Sequence, residues 1–285
     1  MNHIWKNLQF YDIVHLQDLI SPQAVITASC CKRYNIPYVL TTHGSASWLS
    51  SPKYLNSIYR KLFGNTILKN ASKIFALNND EVTALMDLGV PKKKINIVPN
   101  GLNLLSYDLK FEKNIFKSKY NLYNQKIILY LGRIHESKGI NLLIEAFADI
   151  CSERNDITLI LAGPDDGYRS TSEMLINDLG LNNKVLFTGY IDDNTKGTIY
   201  VDADVFVTPV FLGFPVTFLE ASFYGVPIVA TNFRDELDWI HDNVGYVTDY
   251  NKEDLKDAIL HILDDERLRE RFSIAGQKIV LDRYN

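Results

Sequence analysis

Cysteine is scarce in this chain. Three residues, Cys30, Cys31 and Cys151, stand among 285; they form no metal-ligand spacing and cannot all pair. Long apolar runs are missing as well, none approaching the roughly 18 residues that span a bilayer. Asp12, His15 and Asp18 interrupt the apolar core that a secretory leader would require. Excess charge of one sign is absent: 30 Lys and Arg against 34 Asp and Glu leave a net −4, which gives a polyanion such as nucleic acid no general reason to bind. No solenoid repeat or low-complexity tract interrupts the sequence. These absences point to a reducing, cytoplasmic setting and a chain long enough for two ordinary domains.

Present instead are short apolar runs alternating with helical patterns, the signature of βαβ units and parallel sheets. In the first part, strands are expected at Asp12–Leu16, Tyr38–Thr42, Lys73–Leu77 and Ile95–Val98, with helices at Pro22–Tyr34, Lys53–Lys69 and Asp80–Leu88. Pro99-Asn100-Gly101 breaks the pattern, and the polar stretch Leu102–Glu112 reads as a linker. In the second part, six strands are expected, at Lys126–Leu131, Ile157–Leu161, Val185–Phe187, Val205–Thr208, Pro227–Ala230 and Tyr246–Thr248. Helices at Gly139–Glu153, Ser170–Leu179, Asp193–Ala203, Val216–Tyr224, Arg234–Ile240, Lys252–Leu263 and Asp265–Asp282 complete a doubly wound domain. The boundaries follow as residues 1–108 and 109–285.

The segment Val205–Asn232 carries the most chemistry. It reads as buried strand, glycine turn, helix and second buried strand, with Glu220 just inside the helix. A helix N-terminus offers unpaired N–H groups and partial positive charge, a seat for phosphate. A carboxylate about one turn further on can accept from a pair of hydroxyls, so the segment suits a nucleotide. Glu220 has apolar neighbours, which puts it at the margin of the core, where it needs partners; the plainer reading is a helix-dipole acid.

Other signals gather at strand ends. Gly132-Arg133 closes one strand and Lys138-Gly139 opens the next helix, two cations where open α/β sheets bind ligands; read alone, they are solvated charges. Gly163-Pro164 and Gly189 are turns on the same edge, and Tyr190 with Ile191 could wall a flat base. Thr41-Thr42-His43-Gly44 ends a strand of the first part, with a satisfied structural imidazole as the alternative for His43. Asp202-Ala203-Asp204 matches a D-x-D metal string but sits at a helix–strand junction, where Asp204 caps or turns. Asp165/Asp166 and Asp192/Asp193 lie in turns and read as solvated or capping.

Taken together, His43-Gly44, Val98-Pro99-Asn100-Gly101, Gly132-Arg133 with Lys138-Gly139, Ala162-Gly163-Pro164, Phe187-Thr188-Gly189 and Gly213–Thr231 resemble the family-4 retaining glycosyltransferases of the GT-B fold. The resemblance implies an α/β protein of two Rossmann-like doubly wound domains facing a cleft, the first one incomplete. It implies that Arg133 and Lys138 neutralise a diphosphate, Glu220 grips the ribose, and His43 reaches the donor sugar. Gly44, Gly132, Gly163, Tyr190, Ile191, Gly213, Phe214, Pro215, Val216 and Thr217 would line the donor site. The donor would be a nucleotide-diphosphate sugar, the acceptor a glycan or lipid-linked sugar, with no metal and no further cofactor.

Three departures from the family pattern stand out. Leu212 occupies the position of an acid that contacts the donor sugar, and an apolar side chain leaves a buried hydroxyl without an acceptor at a cost of roughly 1–3 kcal/mol. Pro215 replaces a frequent glycine, tolerable in a first helical turn. The strands and glycine-rich loop that open the family's first domain, and a last helix crossing back onto it, are not found. Hence the alternative of a non-catalytic nucleotide-sugar-binding fragment, or a subunit of a split enzyme whose partner chain supplies the missing half-domain; a GT-B epimerase ranks lower. Peripheral contact with the inner membrane face stays open.

Overall fold

A computed structural model describes residues 7–104, 111–211, 214–231 and 237–284. Two compact units result: one runs to Asn100 and takes in Phe214, the other spans Gly101–Phe211 and Pro215 onward. Leu212 and Gly213, part of the expected linker and most of the helix expected at Arg234–Ile240 lie outside the described residues. The rest of that helix, 237–240, is a turn and not a helix.

The first unit holds a parallel sheet of four strands in sequential order, β1 (Val14–Leu16), β2 (Tyr38–Thr41), β3 (Lys73–Ala76) and β4 (Ile95–Ile97). Leu16, Leu40, Ile74 and Ala76 point into its core, where Leu19, Cys31, Leu49 and Leu85 meet them. Helix α1 (Pro22–Tyr34) starts where expected: Ser21 caps the Ala24 amide, Pro22 opens the first turn, and Asn35 ends the helix in the left-handed conformation. Helix α2 (Ser45–Ser50) was not expected, being too short to show a period. The single helix anticipated over Lys53–Lys69 is three pieces, α3 (Tyr54–Tyr59), a π turn at Arg60–Gly64 and α4 (Asn65–Asn70). Gly64 lets the π turn approach its neighbour, since a Cβ there would lie 2.8 Å from Leu49 Cδ2. Helix α5 (Asn79–Asp87) follows β3.

The second unit begins with a short helix, α6 (Ile115–Lys119), and continues as strands β5 (Lys126–Leu131), β6 (Ile157–Ala162), β7 (Val185–Gly189), β8 (Val205–Thr208), β9 (Ile228–Thr231) and β10 (Gly245–Thr248). All pairings are parallel, in the order β10-β9-β8-β5-β6-β7. Alternate residues of each strand feed opposite faces, as a two-residue period requires. Ile128, Tyr130, Leu159, Leu161, Val205, Val207 and Val229 pack under α7 (Ile140–Glu153) and α11 (Lys252–Asp264). Ile127, Leu129, Ile160, Phe206, Ile228 and Ala230 face α9 (Asp193–Asp202) and α10 (Val216–Phe223). Helices α8 (Arg169–Asp178) and α12 (Glu266–Arg283) complete the layers.

At the far edge, β10 comes so close to β9 that a Cβ on Gly245 would lie 1.8 Å from the Ile228 carbonyl oxygen. Gly245→Ala is therefore expected to destabilise the second unit by roughly 1–3 kcal/mol through overpacking. A shift in the urea midpoint measures it; an unchanged midpoint would show that β10 can move away without cost.

Candidate functional site

The strand order of the second sheet reverses once, between β5 and β8. From β5 the chain winds out through β6 and β7, and from β8 it winds the other way through β9 and β10. Open parallel sheets bind ligands outside the carboxyl ends of the strands that flank such a reversal. Here those ends launch the loop Gly132–Gly139 and the segment that begins with Pro209 and Val210. The two touch, because a Cβ on Gly139 would stand 2.9 Å from Val210 Cγ2 and 3.0 Å from Pro209 Cβ.

Both helices that start there lack a side-chain cap: Gly139 precedes α7 and Pro215 precedes α10, with no acid in either first turn. Of the other helices, α1, α5, α9, α11 and α12 are capped by Ser21, Asn78, Asp192, Asn251 and Asp265, whereas α2, α3, α4, α6 and α8 also have no side-chain cap from the residue before them. Among the described residues, the positive ends of two helix dipoles thus face the reversal with no capping side chain at Gly139 or Pro215.

Local backbone geometry explains the glycines. The buried Tyr130 hydroxyl donates to the Arg133 carbonyl at 2.9 Å, and burial raises that phenol's pKa well above the ordinary range. A Cβ on Gly132 would lie 2.9 Å from this hydroxyl. Gly163 takes φ +137, and a Cβ there would fall 2.0 Å from the Gly132 carbonyl oxygen. Glycine at both positions lets the ends of β5 and β6 close on each other. Beside them a register shift at Leu161/Ala162 leaves Thr188 as the extra residue of β7.

Arg133 extends outward and pairs with Asp166, both side chains exposed. An exposed pair contributes about 0–1 kcal/mol, so the guanidinium can exchange its partner cheaply. Asp166 was expected to be solvated or capping; it holds Arg133, whereas its neighbour Asp165 does cap, accepting the Gly167, Tyr168 and Arg169 amides. Lys138 is half-buried, and burial together with the nearby Arg133 charge lowers its pKa from the usual lysine value. Two cations held close with one desolvated form an arrangement that an anion would relieve.

Glu220 lies deeper than expected. It is the fifth residue of α10 and only 4% exposed, inside the core and not at its margin. Lys196 Nζ sits 2.7 Å from Oε1 and the Tyr200 hydroxyl donates to Oε2 at 3.1 Å. Burial works to lower the Lys196 pKa, but the hydrogen bond and charge of Glu220, with Asp193 at 3.1 Å, outweigh it and raise the value. Lys196 and Tyr200 were not singled out in the sequence. Their i, i+4 spacing on α9 was the available signal, since it stacks both on one helical face.

Of the remaining expected residues, Val216 is exposed and Thr217 partly so at the start of α10, while Phe214 groups with the first unit. Tyr190 is 78% exposed, and Ile191 packs against the core. Asp202 accepts the Asn114 and Lys117 amides, and Asp204 accepts the Ile127 amide, so each carboxylate serves the main chain.

His43 and Gly44 belong to the first unit, in the turn between β2 and α2. Both are left-handed, at φ +46 and +86, a conformation that costs a non-glycine residue roughly 1–2 kcal/mol. The imidazole is exposed, and its Nε2–H donates to Gln17 Oε1 at 2.8 Å. Gln17 in turn donates to His15 Nδ1 at 3.1 Å, and His15 Nε2 lies 2.7 Å from Thr41 Oγ1. His43 therefore ends a polar chain running along the carboxyl ends of β1 and β2. Gln17 was not anticipated, because the pairing of β1 with β2 that brings it there is invisible in the local sequence.

Comparison with known proteins adds the family. Residues 112–279 match the model described as glycosyl transferases group 1, and residues 2–104 match glycosyltransferase family 4. An uncharacterised glycosyltransferase of Methanocaldococcus jannaschii is 27% identical over 289 residues, covering 96% of this chain and 72% of that protein. The UDP-Gal:α-D-GlcNAc-diphosphoundecaprenol α-1,3-galactosyltransferase of Escherichia coli is 25% identical over 282 residues, 95% of this chain and 71% of the relative. The chain spans 63% of a second M. jannaschii relative. Among solved structures, Anabaena HepE in complex with UDP and glucose superposes with a TM-score of 0.85 at 20% identity, covering all of this chain and 77% of its own, a likeness of fold. The architecture is GT-B.

Replacing Lys196 by Met removes an ammonium from a buried carboxylate, and breaking a buried pair in this way costs roughly 3–5 kcal/mol. Chemical denaturation of the variant is expected to show that loss. A loss below about 1 kcal/mol, the level of an exposed pair, would mean that Glu220 does not depend on Lys196.

Proposed function

The chain belongs to the glycosyl transferases group 1 family and is a glycosyltransferase, and from that premise we propose that it moves a sugar from a nucleoside-diphosphate donor to a glycan or lipid-linked acceptor with retention at the anomeric carbon. One observation carries the reading: a desolvated lysine and an arginine stand at a sheet reversal flanked by two helix N-termini without side-chain caps. In this reading the diphosphate rests against Val216 and Thr217, with Lys138 and Arg133 on its oxygens. Arg133 leaves Asp166 to do so.

The chemistry is charge stabilisation. The bond between the anomeric carbon and the β-phosphate oxygen breaks, its electron pair departs with the diphosphate, and the acceptor oxygen bonds to the same face of the sugar. The acceptor's proton passes to the departing phosphate oxygen. Fixed donors and cations aimed at developing charge are commonly the largest contribution to such catalysis; here the chain's own cations supply it, with no metal in the scheme. Glu220, held in place by Lys196 and Tyr200, takes the ribose hydroxyls. Tyr190 and Ile191 face the base, and His43 of the first unit serves the donor sugar.

The acceptor class follows the E. coli relative, whose name gives a diphosphoundecaprenol-linked sugar. No helix among the described residues is long and apolar enough to cross a membrane, so the proposed contact with a lipid-linked acceptor is peripheral. The non-catalytic alternative is not favoured, because the relatives it would descend from are transferases.

Titration calorimetry with UDP, GDP and ADP tests the donor site. One of them is expected to bind, and Arg133→Gln or Lys138→Met to weaken it about 10–100-fold, the equivalent of one charge-assisted hydrogen bond. Only the charged ammonium binds phosphate, so affinity should fall as pH rises through the lowered Lys138 pKa, before an ordinary lysine would titrate. Arg133→Gln removes one cause of the lowering and should move that fall to higher pH. Failure of all three nucleotides to bind, or binding indifferent to both substitutions, overturns the reading. The anomeric configuration of the product by NMR decides retention.

A further inference from the structure

Among the described residues of the first unit, Glu81 is the one buried acid that the proposed mechanism leaves unused, 1% exposed on α5. Its two oxygens accept three hydrogen bonds. Oε2 takes the Thr42 hydroxyl at 3.0 Å and the Leu77 amide at 2.8 Å, and Oε1 takes the Gly44 amide. Two of these donors flank His43. The same turn is tied again at its base, where both the amide and the hydroxyl of Ser45 bond to the Thr42 carbonyl.

We propose that Glu81 is a positioning residue for glycosyl transfer, clamping the Thr42–Gly44 turn so that His43 keeps its left-handed backbone and directed imidazole. This rests on the reading that His43 serves the donor sugar. Backbone held in a sparsely populated region persists only where surrounding bonds over-determine it. Glu81 supplies those bonds from a separate element, α5, joining the turn after β2 to the start of the helix after β3. Gln17 fixes the imidazole from the other side. An amide cannot replace the carboxylate: one oxygen would become an NH₂ facing N–H or O–H donors.

A merely structural role has a distinct signature, because α5 also has an ordinary cap in Asn78, whose side chain accepts the Glu81 amide. Three variants of the full chain separate the cases: Glu81→Gln, Asn78→Ala and Thr42→Val, the last keeping shape while deleting one bond to Glu81. Turnover is followed with whichever of UDP-, GDP- or ADP-glucose is hydrolysed, and Gly44 amide protection by hydrogen exchange. Glu81→Gln should lower kcat by up to about 100-fold, the scale of a displaced catalytic group, with donor KM within twofold and Gly44 exchange accelerated. Thr42→Val should do the same more weakly. Asn78→Ala should lose stability while keeping kcat and Gly44 protection.

If Glu81→Gln and Asn78→Ala lower kcat alike, the role is structural and the proposal falls. If His43→Ala abolishes turnover while Glu81→Gln and Thr42→Val retain it with Gly44 still protected, the proposal falls and the reading of His43 stands. If His43→Ala turns over like the wild type, the reading of His43 fails and takes the proposal with it.

Discussion

Two positive side chains are kept together where the second sheet reverses direction, and one of them has been taken out of water. That is an unfavourable pairing in the free protein. It is tolerated because Arg133 has an exposed carboxylate to lean on, Asp166, which costs little to give up. The helices α7 and α10 add two more sources of positive potential without capping side chains to quench them. The surroundings are organised to keep this corner open: glycines at 132, 139 and 163 bring the backbones together, and Tyr130 pins the turn that carries Arg133.

The carboxylates follow the opposite policy. Glu220 is not left bare beside the cations but is held by Lys196 and Tyr200 from α9. Its charge is thereby kept local, so it neither cancels the positive corner nor collapses onto it. The acids of Asp202 and Asp204 are tied to backbone amides of the segment leading into β5. Asp204 directly precedes β8 and bonds to the start of β5, so these acids stand at the opposite end of the strands from the positive corner.

Much of this was legible in the sequence, for identifiable reasons. Strands β5, β6, β8 and β9 are buried on both faces, so each appears as an uninterrupted apolar run. Their alternation with helices gave the doubly wound class, and the glycine and basic residues marked loops at the carboxyl ends. What stayed hidden depends on contacts distant in sequence. The Lys196–Glu220 pair spans 24 residues, His43 to Gln17 spans 26, and Gly44 to Glu81 spans 37. The π turn at Arg60–Gly64 was missed because a local change of helical winding leaves the hydrophobic period almost intact. Asp166 was passed over because a carboxylate in a turn has an adequate local explanation, and only the closure of β5 against β6 brings it to Arg133.

The central claim is geometric: a diphosphate belongs at the β5/β8 reversal. A crystal structure of the chain with its nucleoside diphosphate tests it most directly. The account predicts β-phosphate oxygens within hydrogen-bonding distance of the Val216 and Thr217 amides and of Lys138 Nζ, with Arg133 turned away from Asp166. A diphosphate bound elsewhere on the sheet, with Lys138 untouched and the Arg133–Asp166 pair intact, would contradict it.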